Sequence, residues 1–205
     1  MMRQSKVSLV IGLLLVALVA AGCGGAGLPP TPTPTPTPTP QTTPTPAAGW
    51  SPDGVLSTGE YVREKTFGDF EIRWSSDDTY IYVGMKARTG GWVAMAIQPG
   101  LRMKNADMVF GFVKAGKVSV YDLFSTGDFG PHPPDTELGG TDDIVASGGR
   151  EEGGYTTVEF KRRLVTGDRY DNPLSKGANK IIWAYGSDDE LSLKHVDRGY
   201  GELEL

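Results

Sequence analysis

From Phe70 to Tyr185 the chain falls into eight short runs rich in Val, Ile, Phe, Tyr and Trp, each closed by Gly, Pro, Asn or Asp. That punctuation restricts it to an all-β fold. The runs are Phe70–Trp74, Tyr80–Ala87, Trp92–Gln98, Met108–Lys114, Val118–Phe124, Ile144–Ser147, Tyr155–Leu164 and Ile181–Tyr185. Short strands at such close spacing build a sandwich or a barrel. No internal repeat organises them, because Ser125-Thr-Gly-Asp128 and Val165-Thr-Gly-Asp168 share a turn tripeptide and nothing around it.

Several of these strands lack the polar alternation of a sheet with one wet face. Trp92, Ala94 and Ala96 lie on one side of their strand and Val93, Met95 and Ile97 on the other; Met108 to Val113 is likewise apolar on both sides. One face fills the sandwich core, and the second needs a cover. An apolar cofactor, a partner, or the proline-bearing stretch Asp122 to Gly140 folded over it would each serve.

The amino terminus supplies a different kind of limit. Arg3 and Lys6 precede an apolar run from Val7 to Ala21, followed by Gly22 and Cys23. Residues 1–22 are expected to be a secretory signal, with Cys23 the lipidated first residue of the mature chain. Residues 23–46 then form a linker. From Pro29 to Pro46 it is almost purely Thr-Pro, which suits extended polyproline II and no sheet or helix interior. At about 3.1 Å per residue it reaches on the order of 55 Å. Residues 47–205 remain as one domain, expected on the outer side of a membrane and tethered to it.

Cys23 is the sole cysteine, so the mature domain is expected to have no thiol. Disulfides, cysteine-ligated metal clusters and covalent haem of the Cys-x-x-Cys-His kind are thereby excluded. Loss of Arg3 and Lys6 with the signal takes the formal charge from −5 to −7, which argues against a nucleic-acid partner and suits a basic one. There is no nucleophile elbow, P-loop, dinucleotide fingerprint or zinc-protease helix motif. A catalytic role is therefore not expected.

Two separated residues carry the remaining chemistry. Met103 lies in the turn Pro99–Asp107 and His195 in the turn Asp188–His195; a thioether and an imidazole are a ligand pair for low-spin haem iron. The run Gly91-Trp-Val-Ala-Met-Ala-Ile-Gln-Pro99, then Met103-Lys-Asn-Ala-Asp-Met-Val-Phe-Gly111, Gly140-Thr-Asp-Asp-Ile144, Val158-Glu-Phe-Lys-Arg162, Thr166-Gly-Asp168, Ile182-Trp-Ala184 and finally His195 together resemble a DOMON domain. The resemblance covers essentially the whole domain. It implies an immunoglobulin-like antiparallel β-sandwich similar to the cytochrome domain of cellobiose dehydrogenase, in a family whose members bind haem b or sugars.

It also implies that Met103 and His195 are the axial ligands of a non-covalent haem b, with Trp92, Met95, Met108, Phe110 and Phe112 as its apolar neighbours. Such a domain exchanges single electrons with an extracytoplasmic redox protein, either a membrane cytochrome or a dehydrogenase. His132, within Gly130-Pro-His-Pro-Pro134, is a rival ligand, and so is Lys194, since a methionine/lysine pair occurs in related haem sandwiches. Met85 and Met95 are rival thioethers that strand packing explains. The alternative is a module that holds a carbohydrate or another apolar molecule on Trp92 and Trp183, and a third reading is a surface domain with no cofactor. Acidic clusters at Asp77-Asp78, Asp142-Asp143, Asp168 with Asp171, and Asp188-Asp189-Glu190 lack EF-hand spacing and read chiefly as turn chemistry.

Overall fold

The structure, a computed structural model, describes residues 49–205. The signal, Cys23 and the Thr-Pro linker lie outside the described residues. Ten strands are formed: β1 (Arg63–Phe67), β2 (Phe70–Ser76), β3 (Tyr80–Ala87), β4 (Val93–Ile97), β5 (Asp107–Lys114), β6 (Lys117–Phe124), β7 (Ile144–Glu152), β8 (Tyr155–Arg163), β9 (Ala178–Tyr185) and β10 (Asp197–Glu204). Among the described residues one 3-10 turn, Asp135–Leu138, stands between β6 and β7. The strands make two five-stranded antiparallel sheets, in the orders β1-β2-β3-β8-β7 and β10-β9-β4-β5-β6. The fold is an all-β, immunoglobulin-like sandwich.

All eight expected strands are present, and the two unexpected ones are edges. β1 reads Arg-Glu-Lys-Thr-Phe and β10 reads Asp-Arg-Gly-Tyr-Gly-Glu-Leu-Glu, both largely exposed. Charged residues guard edge strands against pairing with other chains, and they also hide such strands from a search for apolar runs. β7 runs on to Glu152, five residues past its apolar part, because Gly153 and Gly154 at φ 60° and 82° close a tight hairpin to β8.

Between the sheets, β2, β3 and β8 contribute Phe70, Ile72, Val83, Met85 and Phe160, while β4, β5 and β9 contribute Val93, Met95, Ile97, Val109 and Trp183. Trp183 stacks against Phe67 and Phe70, each at 5.3 Å between ring centres. The outer face of the first sheet is covered by the segment from Trp50 to Val62. There Tyr61 donates its hydroxyl to buried Glu159 at 2.6 Å, Gly54 donates its amide to the other oxygen at 2.6 Å, and Trp50 donates to Tyr61 at 2.9 Å. Gly84 and Gly148 make room for this strap, since a Cβ at either would collide with Leu56 or with the Pro52 carbonyl.

The outer face of the second sheet, by contrast, is apolar. Trp92, Ala94, Ala96, Met108, Phe110 and Leu123, with Ile182 and Ala184 of β9, form a second buried cluster distinct from the core. The second hydrophobic face read from strand parity is therefore real, and its cover defines the site.

Candidate functional site

Alanine at positions 94, 96 and 184 keeps the middle of that outer face low, while Trp92, Met108, Phe110 and Ile182 rise around it. The result is a cavity of about 690 Å3, within the usual range of about 300–1,000 Å3 for small-molecule and cofactor sites. Three loops wall it: the one after β4 brings Met103, the one after β6 brings Phe129 to Pro133, and the one after β9 brings Leu191 to His195. The stretch Asp122 to Gly140 thus folds over the face as one of the expected covers, yet it leaves space beneath.

Met103 sits in a tightly specified turn. Arg102 and Asn105 adopt left-handed φ values of 57° and 60°, and Ala106 donates its amide to the Met103 carbonyl at 3.0 Å. The Asn172 side-chain amide ties down the turn from outside it, donating to the carbonyls of Ile97 at 3.0 Å and Asn105 at 2.8 Å. The amide of Asn172 in turn donates to Asp107 at 2.9 Å. Asp107 is wholly buried and accepts from Arg162 Nη1 on both oxygens, at 2.8 and 2.7 Å. Burial outweighs that guanidinium and pushes the Asp107 carboxyl up to about 6.

His195 is half-buried at the cavity, just before Val196 donates its amide to the Tyr185 carbonyl at 2.8 Å beside β9. Burial, and then the nearby Arg198, hold its imidazole below the ordinary histidine value. His132 also lines the cavity, 6.3 Å from the Phe110 ring between centres, on a loop held by the Phe124 amide donating to the Pro133 carbonyl at 3.1 Å. Its pKa is lowered by burial, and its Nδ1 is buried with no hydrogen-bond partner among the described residues. Both imidazoles are consequently neutral at pH 7, the form that ligates a metal. Trp92 lies at 4.8 Å from Phe110 between ring centres, with its indole N–H likewise unpaired among the described residues. Lys194 and Arg198 add positive charge at the wall.

Met103, His195, Trp92, Met108 and Phe110 all border this one cavity, together with the rivals His132 and Lys194. Met95 borders the cavity as well, although its side chain belongs to the inter-sheet core with Val93 and Ile97. Phe112 packs on the same outer face beside Tyr121, outside the cavity wall. Trp183 cannot act as a platform beside Trp92, because it points into the core. Leu123, Ile182, Leu191 and Arg198 are wall residues that sequence reasoning missed. The parity of β9 signals Ile182; nothing local signals Arg198.

The model of the DOMON domain family matches residues 66–186, more than half of the chain. The chain belongs to the DOMON family. Among relatives, it is 29% identical over 140 residues to DBH-like monooxygenase protein 1 of Mus musculus, a match over 67% of this chain and 22% of that one. It is 26% identical over 164 residues to MOXD1 homolog 1 of Drosophila melanogaster, over 75% of this chain and 23% of the relative. The DOMON domain thus spans under a quarter of the length of these relatives. Among solved structures, the cytochrome b domain of pyranose dehydrogenase from Coprinopsis cinerea aligns at a TM-score of 0.47 and 14% identity, covering 65% of this chain and 74% of that chain. The cytochrome domain of Myriococcum thermophilum cellobiose dehydrogenase aligns at 0.47 and 15%, covering 65% and 73%.

Proposed function

We propose that this DOMON domain holds one haem b in the outer-face cavity, with Met103 and His195 as iron ligands, and passes single electrons to or from a redox protein outside the cytoplasm. The observation that carries the reading is that two side chains from loops far apart in sequence, a thioether and a neutral imidazole, border the same apolar cavity. The chain's own residues fit the group: Trp92, Met108, Phe110 and Ile182 offer flat apolar walls, the alanines leave the space, and Lys194 and Arg198 suit carboxylates at the mouth. Bound haem b supplies a one-electron couple, and a methionine ligand raises its potential.

What the protein does is position and insulate. The fastened turn 98–106 fixes where the Met103 sulfur stands, and the loop of residues 129–133 limits water over the cavity floor. Two protein ligands would leave no open position for oxygen chemistry, so the domain acts as a carrier. In this reading Cys23 carries the lipid anchor, the Thr-Pro linker gives reach, and the partner is a membrane cytochrome or a dehydrogenase.

Titrating the full chain with haemin tests this by absorption. Saturable one-to-one uptake is expected, with a reducible six-coordinate spectrum that turns five-coordinate in Met103→Ala and in His195→Ala but persists in His132→Ala. Absence of uptake, or unchanged spectra in both ligand variants, refutes the proposal. Dependence on His132 in place of His195 would overturn the ligand assignment. The carbohydrate alternative predicts saturable sugar binding without haem uptake, and it is weakened by the inward orientation of Trp183.

A further inference from the structure

Beneath the loops that carry Met103 and His132 lies a set of carboxylates that the haem reading does not use. Strand pairing puts Asp107 on β5 and Asp122 on β6 diagonally across one face, since Asp107 is opposite Phe124 and Val109 opposite Asp122. Asp171 reaches in from the segment after β8, and one oxygen from each of the three lies within 4.8 Å of the others. All three are buried, and so is Asp135 at the start of the 3-10 turn, at 1% exposure. The charges that act on Asp135 most strongly are Asp171 and Asp107.

One guanidinium stands among these four acids. Arg162 donates to both oxygens of Asp107 and is 3.6 Å from Asp171. A second, independent observation is hydrogen bonding left undone. The Asp171 side chain is 1% exposed, yet neither of its oxygens has a partner among the described residues. The Thr166 hydroxyl is near enough to lower its pKa without meeting bonding geometry. Asp122 Oδ1 and both oxygens of Asp135 are equally unpaired. Buried carboxylate oxygens without donors are costly unless something cationic takes their lone pairs.

We propose that Asp107, Asp122 and Asp171 bind a divalent cation of the hard, oxygen-preferring class, with Ca2+ as the ion, and that it fastens the loops that wall the cavity. The donor set is all oxygen, which disfavours zinc or copper, and its irregular placement suits calcium better than the strict octahedron of magnesium. Each ligand is tied to a cavity loop, Asp171 through the next residue, Asn172, whose side chain donates to Ile97 and Asn105 at the Met103 turn. Asp107 closes the turn of Met103 through Asn172. Asp122 precedes Leu123, which bridges to Pro134 next to the His132 segment, and it also accepts the Asp143 amide at 2.8 Å.

The test is calorimetric titration of the chelator-stripped full chain with CaCl2, without haem, alongside thermal unfolding and hydrogen exchange. One Ca2+ per chain is expected, with an unfolding midpoint that rises with the logarithm of calcium concentration and added protection at residues 98–106 and 125–135. Asp122→Asn and Asp171→Asn should each weaken binding at least tenfold, whereas Asp188→Asn, on the surface, should not. The proposal is overturned by no binding up to about 10 mM, ten times the weakest usual affinity of extracellular calcium modules, or by binding that only Asp188→Asn removes. Missing protection of the two loops overturns the fastening role. If an aspartate variant fails to fold, the stoichiometry and midpoint shift of the unaltered chain decide. Failure of haem uptake leaves all these readings intact, so the two proposals fail separately.

Discussion

Replacing Arg162 by methionine would remove the one guanidinium from among Asp107, Asp122, Asp135 and Asp171 while keeping most of its volume. Arg162 is wholly buried, and Asp107 would keep only the Asn172 amide as a donor. Breaking a buried pair by deleting one partner costs about 3–5 kcal/mol. For a domain of this size that corresponds to a fall of roughly 6–20 °C in the unfolding midpoint. The pH dependence discriminates further. Asp107 already titrates at about 6 in the folded protein, above its unfolded value of about 3.9, so folding takes up a proton and its contribution to stability falls as pH rises between those values. Without Arg162 the folded value climbs further, and the loss continues to higher pH. The deficit is therefore expected to be small near pH 5 and to grow toward pH 8. Urea unfolding in chelator-containing buffer at pH 5, 6.5 and 8 measures it. A deficit under about 1 kcal/mol at pH 8, or one equal at pH 5 and 8, would refute the claim that this arginine is the charge partner of Asp107.

Tyr61→Phe removes the hydroxyl that donates to Glu159 at 2.6 Å and accepts from Trp50. A loss of about 1.5–3 kcal/mol is expected, with earlier proteolysis in residues 50–62, and an unchanged cleavage pattern would show that the strap is held by other contacts. Haem loading, followed by absorption, should fall with a midpoint below the ordinary histidine value of about 6.5, because burial and Arg198 keep the His195 imidazole neutral to lower pH than usual. A loading midpoint at or above pH 7 would contradict that environment.

Periodicity made the sandwich and its second apolar face legible, since Trp92, Ala94 and Ala96 alternate with Val93, Met95 and Ile97 without a polar residue among them. The same parity turns the Met95 and Trp183 side chains toward the inter-sheet core: Met95 lies opposite in phase to Trp92, and Trp183 opposite to Ile182. β1 and β10 escaped because edge strands are written in charge. His132 remained ambiguous because burial by a folded-over loop leaves no local mark in Gly-Pro-His-Pro-Pro. The acidic cluster was missed for a different reason. Its members come from positions 107, 122, 135, 162 and 171, and only the pairing of β5 with β6 and the return of the chain after β8 bring them together.

That pairing links the cavity to the acids residue by residue. On β5, Asp107 turns inward to Arg162 while Met108 turns outward to the cavity; on β6, Asp122 turns inward and Leu123 outward. Consecutive side chains on a strand must take opposite faces, so a slip of one residue in the β5–β6 register would send a carboxylate into the apolar cavity and a methionine into the ionic cluster. Each buried set therefore specifies the placement of the other: Arg162 holds the phase of β5, and the phase of β5 puts Met108 and Phe110 under the Met103 loop. An outer-face cavity on a sandwich has no second sheet to fix its geometry. Here the buried charges just across the sheet supply that constraint, which is why residues that never touch the cavity are expected to govern how well it is formed.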